Sequence, residues 1–408
     1  MSVELRPLGV KCNIQCIYCY QNPQRDAGNI QHSYDLQRMM AAVEVEGGGF
    51  TLFGGEALMV PERDLETLWA WGLEKYGKNN IQTNGTLVTD SHIALFKRYK
   101  VHVGISLDGP AELNDARWAG SLAKTREATR RAHATLEQLC QEGVQCSLIV
   151  TLHRGNATPD KLPRMHEWFR RLERMGVRHA RIHILEVDSG DVRERYALSS
   201  EENLEAFLSF AQLEKKLTTL KLDVFEDMRR LLRGQDNSTT CVWNACDPYT
   251  TRAVRGVEGH GERSNCGRTN KEGIDFTKAP VEGFERYLAL YHTPQAHGGC
   301  QGCRFFLMCK GQCPGTAIDG DWRNRTEHCS VWMSLYECLE AEMVESGQVP
   351  LSLDPIRPRL EETFLANWAG GANRTIEQTL KQVRGEIVPP VGGAEDHGDW
   401  HGDHTDLG

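Results

Sequence analysis

Short runs of apolar residues alternate with longer amphipathic stretches over the first two hundred residues. Each short run is rich in Val, Ile, Leu or Phe and has turn residues close by, which is typical of buried strands. The six predicted strands are 5–8, 49–53, 80–83, 101–107, 146–152 and 181–187. Residues with helical periodicity separate them, and the predicted helices are 35–45, 61–76, 90–99, 122–142 and 159–175. This alternation predicts an α/β fold of parallel strands with right-handed crossovers, either a doubly wound sheet or an open or closed barrel.

Composition and charge narrow the class of protein. The 408 residues are 40% hydrophobic and 25% charged, with a net charge of −9. This composition is ordinary for a globular protein, and the negative charge argues against a nucleic-acid partner. No apolar run reaches the length of about 18 residues that a membrane helix needs, and the start of the chain lacks a charged-then-apolar leader. We therefore expect a cytoplasmic protein without a membrane partner.

Cysteine usage is the strongest departure from an average sequence. Fourteen cysteines without a secretory leader do not indicate a disulfide framework, and in a reducing compartment they indicate metal or iron–sulfur ligation. Three of them, Cys12, Cys16 and Cys19, lie within one stretch of eight residues that follows the first predicted strand. Three thiolates can hold a cubane [4Fe–4S] cluster and leave one iron open to an exogenous chelator. The alternative is a zinc knuckle completed by His32.

Further strand ends carry residues suited to binding a ligand. They are Gly54, Gly55 and Glu56 after the second strand, Asn84 after the third, and Ser106 and Asp108 after the fourth. Glycines allow a backbone to approach a ligand closely, and a carboxylate can pair with an ammonium group. Taken alone, both the glycine turn and the Asp108-Gly109-Pro110 segment are also ordinary turn chemistry.

The Cys12-x3-Cys16-x2-Cys19 spacing, with an aromatic residue before the third cysteine, resembles the radical S-adenosylmethionine (radical SAM) superfamily. The resemblance implies a partial (β/α)6 TIM-type barrel and a catalytic cluster on these cysteines, whose open iron binds the amino and carboxylate groups of SAM. Reductive cleavage of SAM then yields a 5′-deoxyadenosyl radical that abstracts hydrogen from a C–H bond. The implied cofactor contacts are Tyr18 at the adenine, Gly54, Gly55 and Glu56 at the methionine, Asn84, Ser106, Asp108, and Arg126 at the carboxylate.

Eight further cysteines occur in under ninety residues after a long charged helical stretch. They are Cys241, Cys246, Cys266, Cys300, Cys303, Cys309, Cys313 and Cys329. Their spacing is similar to the signature of the SPASM domain, with one additional cysteine upstream. The resemblance implies two auxiliary [4Fe–4S] clusters and thus three clusters in all. One would use Cys241, Cys246, Cys266 and Cys313, and the other Cys300, Cys303, Cys309 and Cys329. A zinc ribbon is the alternative. The remaining Cys140, Cys146 and Cys338 are interpreted as small buried hydrophobic residues.

The domain organisation follows from these motifs. We expect a radical SAM barrel over 1–235, a SPASM domain over 236–340, a helical extension over 341–388 and a flexible tail over 389–408 rich in His, Asp and Gly. Three readings of the tail stay open. It is disordered, it binds a divalent metal adventitiously, or it is a substrate-like segment, because a double glycine before a His/Asp/Trp repeat resembles a leader–core junction.

The leading functional hypothesis is a radical SAM/SPASM peptide maturase that abstracts hydrogen from a peptide residue and installs an oxidative modification or cross-link. The expected partners are a peptide or protein substrate, including the chain's own tail, and an electron donor such as flavodoxin or ferredoxin. The first alternative is Ser or Cys oxidation to formylglycine, as in anaerobic sulfatase-maturing enzymes. Those carry Asp directly after the cysteine matching Cys266, where this chain has Gly267. Small-molecule dehydrogenation and a non-catalytic electron carrier complete the alternatives.

Overall fold

The computed structural model describes residues 3–237, 239–251, 254–269 and 281–385. Within them the chain divides into two compact units. One, here called the sheet unit, comprises residues 3–224 and 255–269, and the other, the cysteine-rich unit, comprises the described residues of 225–254 and 281–385. The predicted tail 389–408 lies outside the described residues. No helix in the described chain combines the length and the apolarity that a membrane crossing requires.

One sheet organises the sheet unit. Its described strands are β1 (Val3–Arg6), β2 (Phe50–Leu52), β3 (Asn79–Thr83), β4 (Val101–Ser106), β5 (Cys146–Leu152), β6 (His179–Ile184), β7 (Lys221–Leu222), β8 (Arg255–Glu258) and β9 (Arg263–Ser264). They lie in the order β7-β6-β5-β4-β3-β2-β1-β8-β9, and every described pairing is parallel except that of β8 with β9. The predicted α/β class with parallel strands is therefore confirmed, and curvature into a partial barrel stays a prediction.

The helices of the described chain alternate with these strands and then continue into the cysteine-rich unit. They are α1 (Asn22–Asp26), α2 (Leu36–Glu46), α3 (Glu62–Tyr76), α4 (Asp90–Arg98), α5 (Leu122–Gln141), α6 (Leu162–Met175), α7 (Gly190–Tyr196), α8 (Ser200–Glu214), α9 (Asp223–Leu232), α10 (Glu285–His292), α11 (Phe306–Cys309), α12 (Cys329–Glu345), α13 (Arg357–Ala369) and α14 (Ile376–Val383). Side-chain caps fix several of their starts. At α8, Ser199 and Glu202 each accept the other's backbone N–H, which satisfies two donors that the first turn leaves unpaired.

The sheet extends beyond the six strands that the sequence predicts. β7 pairs with β6 at one edge, and β8 pairs with β1 at the other. The sequence-based division assigned residues 255–264 to the second domain, whereas β8 and β9 belong to the sheet unit. The register explains the difference, because it sets Arg6 opposite Glu258 and these two side chains form an ion pair at 2.5 Å with neither exposed. A charge buried this deeply requires a partner.

Parallel strands end at the same edge of a sheet, and this edge positions the predicted site. Cys12, Glu56, Asn84 and Asp108 all follow the carboxyl ends of β1 to β4 within a few residues. Ligand sites of parallel α/β folds occur at this edge. The topology therefore gathers loops that are far apart in the sequence.

Aromatic packing organises the cysteine-rich unit. Trp368 of α13 packs against Tyr287 of α10, with ring centroids 5.3 Å apart, and against Phe364 at the same distance. Trp243 packs edge-to-face on Trp332 of α12 at 5.7 Å. The helices that the sequence sets apart as a C-terminal extension thus share one compact unit with the cysteine-rich loops.

Candidate active site

The loop between β1 and α1 carries the three predicted catalytic ligands, Cys12, Cys16 and Cys19. The chain that follows β4 holds this loop in place, because the Gln15 N–H donates to the Trp118 carbonyl at 2.7 Å and the Ile17 N–H donates to the Ala116 carbonyl at 2.9 Å. All three cysteines are partly exposed and free of disulfides. The sulfurs are therefore presented on a loop that is fixed at two backbone positions.

Gly54 and Gly55 lie against the backbone that precedes Cys12. Gly54 has a φ of +114°, and a Cβ there would lie 2.4 Å from the Gly9 carbonyl oxygen. A Cβ on Gly55 would lie 2.0 Å from the Lys11 carbonyl oxygen. The sequence predicted that these glycines admit a ligand. In the structure the Cβ positions of both glycines face the protein's own backbone, and this close approach joins the glycine turn to the cysteine loop. Their contact with a cofactor stays a prediction.

Glu56 is buried and keeps room for one more donor. Its Oε1 accepts the Leu58 N–H at 3.0 Å and the Thr83 hydroxyl at 2.7 Å, and its Oε2 accepts the Asn84 N–H at 2.8 Å. Burial raises the pKa of Glu56, because a desolvated carboxylate is disfavoured. A carboxylate has about four acceptor positions, so an ammonium group at Oε2 would complete its bonding and offset the desolvation.

Asn84 connects Glu56 to the cysteine loop. Its side-chain amide donates to Asn13 Oδ1 at 2.8 Å and lies 3.9 Å from the Cys12 sulfur. The Thr86 hydroxyl donates to Asn84 Oδ1 at 2.6 Å and accepts from the Asn13 amide at 2.9 Å. Each of these short polar side chains is fixed by another, so the position of the Cys12 sulfur relative to Glu56 is well defined.

Asp108 is completely buried within a charged network. The Arg117 Nε lies 3.0 Å from its carboxylate, the Tyr18 hydroxyl donates to the same oxygen, and His153 Nε2 lies 3.8 Å away. Burial alone would raise the pKa of Asp108, but the charge of Arg117, the proximity of His153 and the hydrogen bond from Tyr18 hold it at about 2. Asp108 and Tyr18, both predicted as cofactor contacts, thus orient Arg117 in this structure.

Arg117 is the cation nearest to Cys16 that the structure records, with Nη1 3.9 Å from the sulfur. The sequence named Arg126 instead, and Arg126 forms a two-point ion pair with Asp115 while 34% of its side chain stays exposed. Sequence spacing alone could not show which of the two arginines lies next to the cysteine loop. The cofactor role of Arg126 stays a prediction.

Ser106 also has a polar partner at the end of β4. Its hydroxyl accepts a hydrogen bond from the side chain of Gln82 on β3 at 2.7 Å. Both side chains are partly exposed. Ser106 therefore belongs to the polar edge of the sheet, and its contact with a cofactor stays a prediction.

The environment of the three thiols in the loop suits ligation of a positively charged metal centre. Burial raises the pKa of Cys12 to about 11 and that of Cys16 to about 12, and it also raises that of Cys19. Arg117 opposes this effect at Cys16, and Arg25 opposes it at the other two. Thiolates so desolvated form readily only when a metal compensates their charge. Three such donors beside an open carboxylate fit a [4Fe–4S] cluster that leaves one iron for SAM.

Four cysteines of the cysteine-rich unit line one cavity, which encloses about 330 Å³ of empty space including the part open to solvent. They are Cys300, Cys303, Cys309 and Cys329, the set that the sequence assigns to one auxiliary cluster. Burial raises the pKa of each thiol, to about 12 for Cys300. Within the described residues, no group of three or more His, Cys, Asp or Glu side chains is compact enough for a single metal ion. A lone zinc ion would draw its sulfurs to within about 3.8 Å of one another.

Two cavity residues that sequence reasoning missed fit an anionic cluster. The charge of Arg325 opposes the rise in pKa that burial causes at Cys300 and Cys329. Arg325 donates to the carbonyls of Gln295 and Gly299 at 2.6 and 2.7 Å, which anchor it. Tyr336 is fully buried, and its hydroxyl has no hydrogen-bond partner within the described part of the chain. A buried donor without a protein acceptor suits a ligand that supplies one.

A buried arginine organises the loops around this cavity. Arg286 donates to four backbone carbonyls at 2.6 to 3.4 Å, those of Trp322, Asn324, Gln312 and Lys310. These carbonyls belong to the two segments that follow Cys309 and precede Cys329. Arg286 therefore fixes segments that have little regular structure of their own, and no feature of its sequence neighbourhood marks it.

The other predicted auxiliary ligands are divided between the units. Cys241, Cys246 and Cys313 belong to the cysteine-rich unit, and Cys266 belongs to the sheet unit directly after β9. The next residue, Gly267, packs so closely that a Cβ there would lie 3.1 Å from the Tyr20 ring and 3.6 Å from an Arg6 nitrogen. Ligation by this set of four stays a prediction.

Comparison with known proteins agrees with this geometry. The model of the Radical SAM superfamily matches residues 7–157, which contain the cysteine loop, the glycine turn and Asp108. The serine-type anaerobic sulfatase-maturating enzyme of Bacteroides thetaiotaomicron is 23% identical over 354 residues, covering 77% of this chain and 82% of that protein.

Two solved structures share the fold. Native anSMEcpe with bound AdoMet and Cp18Cys peptide matches with a TM-score of 0.63 at 18% identity, over 85% of this chain and 98% of that one. Streptococcus suis SuiB bound to precursor peptide SuiA matches with a TM-score of 0.51 at 13% identity, over 80% and 75%. The superfamily match and the three-cysteine loop together identify the chain as a radical SAM enzyme related to the anaerobic sulfatase-maturating enzymes.

Proposed function

We propose that the chain modifies a peptide, cleaving SAM at a [4Fe–4S] cluster on Cys12, Cys16 and Cys19 and installing an oxidative modification or cross-link. One observation carries this proposal. Asn84 donates its backbone N–H to Glu56 and holds its side-chain amide 3.9 Å from the Cys12 sulfur. A single residue thus connects the cluster ligands to a buried carboxylate that can still receive an ammonium group.

The residues of the site bind and orient the cofactor. When bound, the cluster and SAM supply a 5′-deoxyadenosyl radical that abstracts hydrogen from a C–H bond. Glu56 would hold the methionine ammonium, and Arg117 holds a positive charge beside Cys16. Asp108 keeps Arg117 in that position through their ion pair. The predicted contacts at Tyr18, Gly54, Gly55, Asn84, Ser106 and Arg126 are part of the same proposal.

Auxiliary clusters would carry electrons. The four-cysteine cavity supports one cluster, because it combines the four thiols with the cation of Arg325 and with the Tyr336 hydroxyl, which has no partner among the described residues. A second on Cys241, Cys246, Cys266 and Cys313 rests on the cysteine spacing. Clusters with four protein ligands have no open iron, so they suit electron transfer, either from a substrate radical or toward the catalytic cluster.

A peptide substrate is supported by the two solved structures compared above, both of which hold a peptide. The name of the Bacteroides relative favours a second candidate function, oxidation of a Ser or Cys residue of a protein to formylglycine. Gly267 weighs against formylglycine formation, because the tight contact with Tyr20 leaves little space for the Asp that this family carries there.

We also propose a cytoplasmic location and an external flavodoxin or ferredoxin as the electron donor. The tail 389–408 is proposed as a substrate-like segment.

Anaerobic reconstitution tests the proposal. Protein with SAM and a strong reductant should form 5′-deoxyadenosine, and the C12A/C16A/C19A variant should form none while keeping about eight of twelve irons. Retained cleavage in that variant would refute the cluster assignment. Intact mass of added peptides, and of the chain with and without residues 392–408, then identifies the substrate. Turnover of a small alcohol with every peptide unchanged would refute peptide modification.

A further inference from the structure

Two cysteines outside the predicted clusters lie side by side in the sheet unit. The sulfurs of Cys140, near the end of α5, and Cys146, the first residue of β5, are 3.6 Å apart. Both side chains are partly exposed. The sequence interpretation treated them as isolated buried residues, and the structure shows a dithiol instead.

The turn between them explains this proximity. Gly143 has a φ of +68° and donates its N–H to the Cys140 carbonyl at 3.2 Å, while the Val144 N–H donates to the Leu139 carbonyl at 2.9 Å. This pair of hydrogen bonds is the Schellman motif, which ends a helix and reverses the chain. Cys146 therefore enters the sheet beside the last turn of the helix that carries Cys140.

The dithiol is remote from the catalytic loop within the sheet unit. Cys146 begins β5, whereas Cys12, Cys16 and Cys19 follow the carboxyl end of β1, and parallel strands place these ends at opposite edges of the sheet. Neither cysteine belongs to a predicted ligand set. A reaction at the dithiol can therefore be separated from the proposed function by measurement.

We propose that Cys140 and Cys146 form a thiol–disulfide exchange site that reacts with low-molecular-weight disulfides. The Cys140 thiolate attacks one sulfur of the disulfide, forming a mixed disulfide and releasing the other half as a thiolate. Cys146 then loses its proton and attacks Cys140, which closes the internal disulfide and releases the second half as a thiol. Two electrons pass from the dithiol to the small disulfide, which leaves as two reduced thiols.

The directions of the two pKa shifts favour Cys140 as the attacking thiol. The hydrogen bond between the sulfurs lowers the pKa of Cys140 and raises that of Cys146, while nearby Glu137 opposes the ionisation of Cys140. Closing the bond requires the sulfurs to move from 3.6 Å to about 2.05 Å. Rotation of the two side chains about χ1 can supply a movement of this size. A Cβ added at Gly176 would meet no heavy atom closer than the Cys140 Cβ at 4.0 Å, so this side of Cys140 is uncrowded.

Peptide mapping tests the site on the anaerobically reconstituted full chain. Trypsin should release Ala132–Arg154, which contains both cysteines and no others. After treatment with oxidised glutathione, this peptide should lose two hydrogens and keep no glutathione. Because the second thiol acts at high effective concentration, less than about a tenth of the peptide should retain the adduct.

Two variants and an internal control make the result decisive. In Cys146→Ser the adduct should persist on Cys140, at least about tenfold above wild type, because the resolving thiol is missing. In Cys140→Ser the glutathione adduct on Cys146 should form more slowly than the adduct on Cys140 in Cys146→Ser. Cys338, exposed on α12, should acquire a glutathione that stays. A wild-type peptide that keeps its adduct as Cys338 does, or stays unmodified while Cys338 reacts, would overturn the proposal. Formation of 5′-deoxyadenosine, measured in the same samples, reports separately on the proposed function.

Discussion

Arg117 and Asp108 form a buried ion pair in which the guanidinium Nε lies 3.0 Å from a carboxylate oxygen, with 12% and 0% of the two side chains exposed. Charges this deeply buried are tolerated only when each has a partner. The same guanidinium lies 3.9 Å from the Cys16 sulfur. Asp108 therefore holds the positive charge of Arg117 next to Cys16, which is a proposed cluster ligand.

Breaking this pair should destabilise the fold strongly. Arg117→Met leaves Asp108 charged and unpaired, and should lower the free energy of unfolding by about 3–5 kcal/mol. Adding Asp108→Asn to that variant should recover part of the loss. Arg126→Met is the matched control, because its pair with Asp115 is about one-third exposed and should contribute less than about 1 kcal/mol. Anaerobic urea unfolding measures all of them, and similar losses for both arginines would contradict the prediction.

Glu56→Gln should weaken SAM binding, because the amide carries no charge to pair with the methionine ammonium. Hydrogen bonds to charged groups contribute about 1.5–3 kcal/mol, so the affinity should fall roughly tenfold to a hundredfold. Anaerobic equilibrium binding of SAM to the reconstituted protein measures the change. Glu62→Gln, a surface carboxylate that accepts from Ser91, is the control. Unchanged affinity in Glu56→Gln would remove Glu56 from the cofactor site.

Tyr336→Phe should change a cluster potential without changing iron content. The Tyr336 hydroxyl lines the four-cysteine cavity and has no partner in the described chain, so a cluster sulfur is its expected acceptor. A lost hydrogen bond of about 1 kcal/mol corresponds to a shift of about 40 mV toward lower potential for one electron. Anaerobic redox titration measures it. Tyr291→Phe is the control, since that hydroxyl already donates to Glu361 at 3.2 Å. Equal potentials would show that Tyr336 does not contact a cluster.

The hydrogen bonds of Glu173 should make the free energy of unfolding depend on pH in the acid range. At the end of α6 it accepts the N–H groups of Thr219, Leu220 and Thr218, and these hydrogen bonds lower its pKa to about 2. The unfolded chain, with a pKa of about 4.3, therefore takes up the proton first as the pH falls. The stabilisation is present above about pH 5 and is lost as the pH falls toward 2.

Glu173→Gln tests this dependence. Solvent screening limits the contribution of Glu173 to about 1 kcal/mol, so the variant should be less stable by about that amount at neutral pH and equal to wild type near pH 2. Urea unfolding at several pH values measures the difference. Glu167→Gln on the same helix, 64% exposed, should run parallel to wild type throughout. A constant difference between Glu173→Gln and wild type would contradict the assignment.

The sequence predicted the strands β1 to β6 because buried apolar positions recur in most of them, with turn residues close by. It missed β8 and β9, because Arg255–Glu258 and Arg263–Ser264 are short, polar and close to cysteines that dominate the pattern. Their place in the sheet depends on the pairing of Arg6 with Glu258, more than 250 residues apart in sequence. Local periodicity cannot report such a contact.

The cluster cysteines could be predicted because ligand chemistry constrains both residue type and spacing. The residues that support the site have no such constraint on residue type and spacing. Arg117 acts through its ion pair with Asp108, Arg286 through backbone carbonyls, and Tyr336 through a buried hydroxyl. None of these features leaves a pattern in the sequence. The dithiol was missed for a similar reason, since the Schellman turn at Gly143 brings Cys140 and Cys146 together.

The contact of Gly55 with Lys11 has a consequence for protein engineering. A side chain at residue 55 would collide with the carbonyl that immediately precedes Cys12, so the two loops can only vary together. A chimera that imports a foreign cysteine loop must also import the matching glycine turn. Residues 9–19 and 53–56 thus form one unit, and any redesign of the reaction centre must exchange them together.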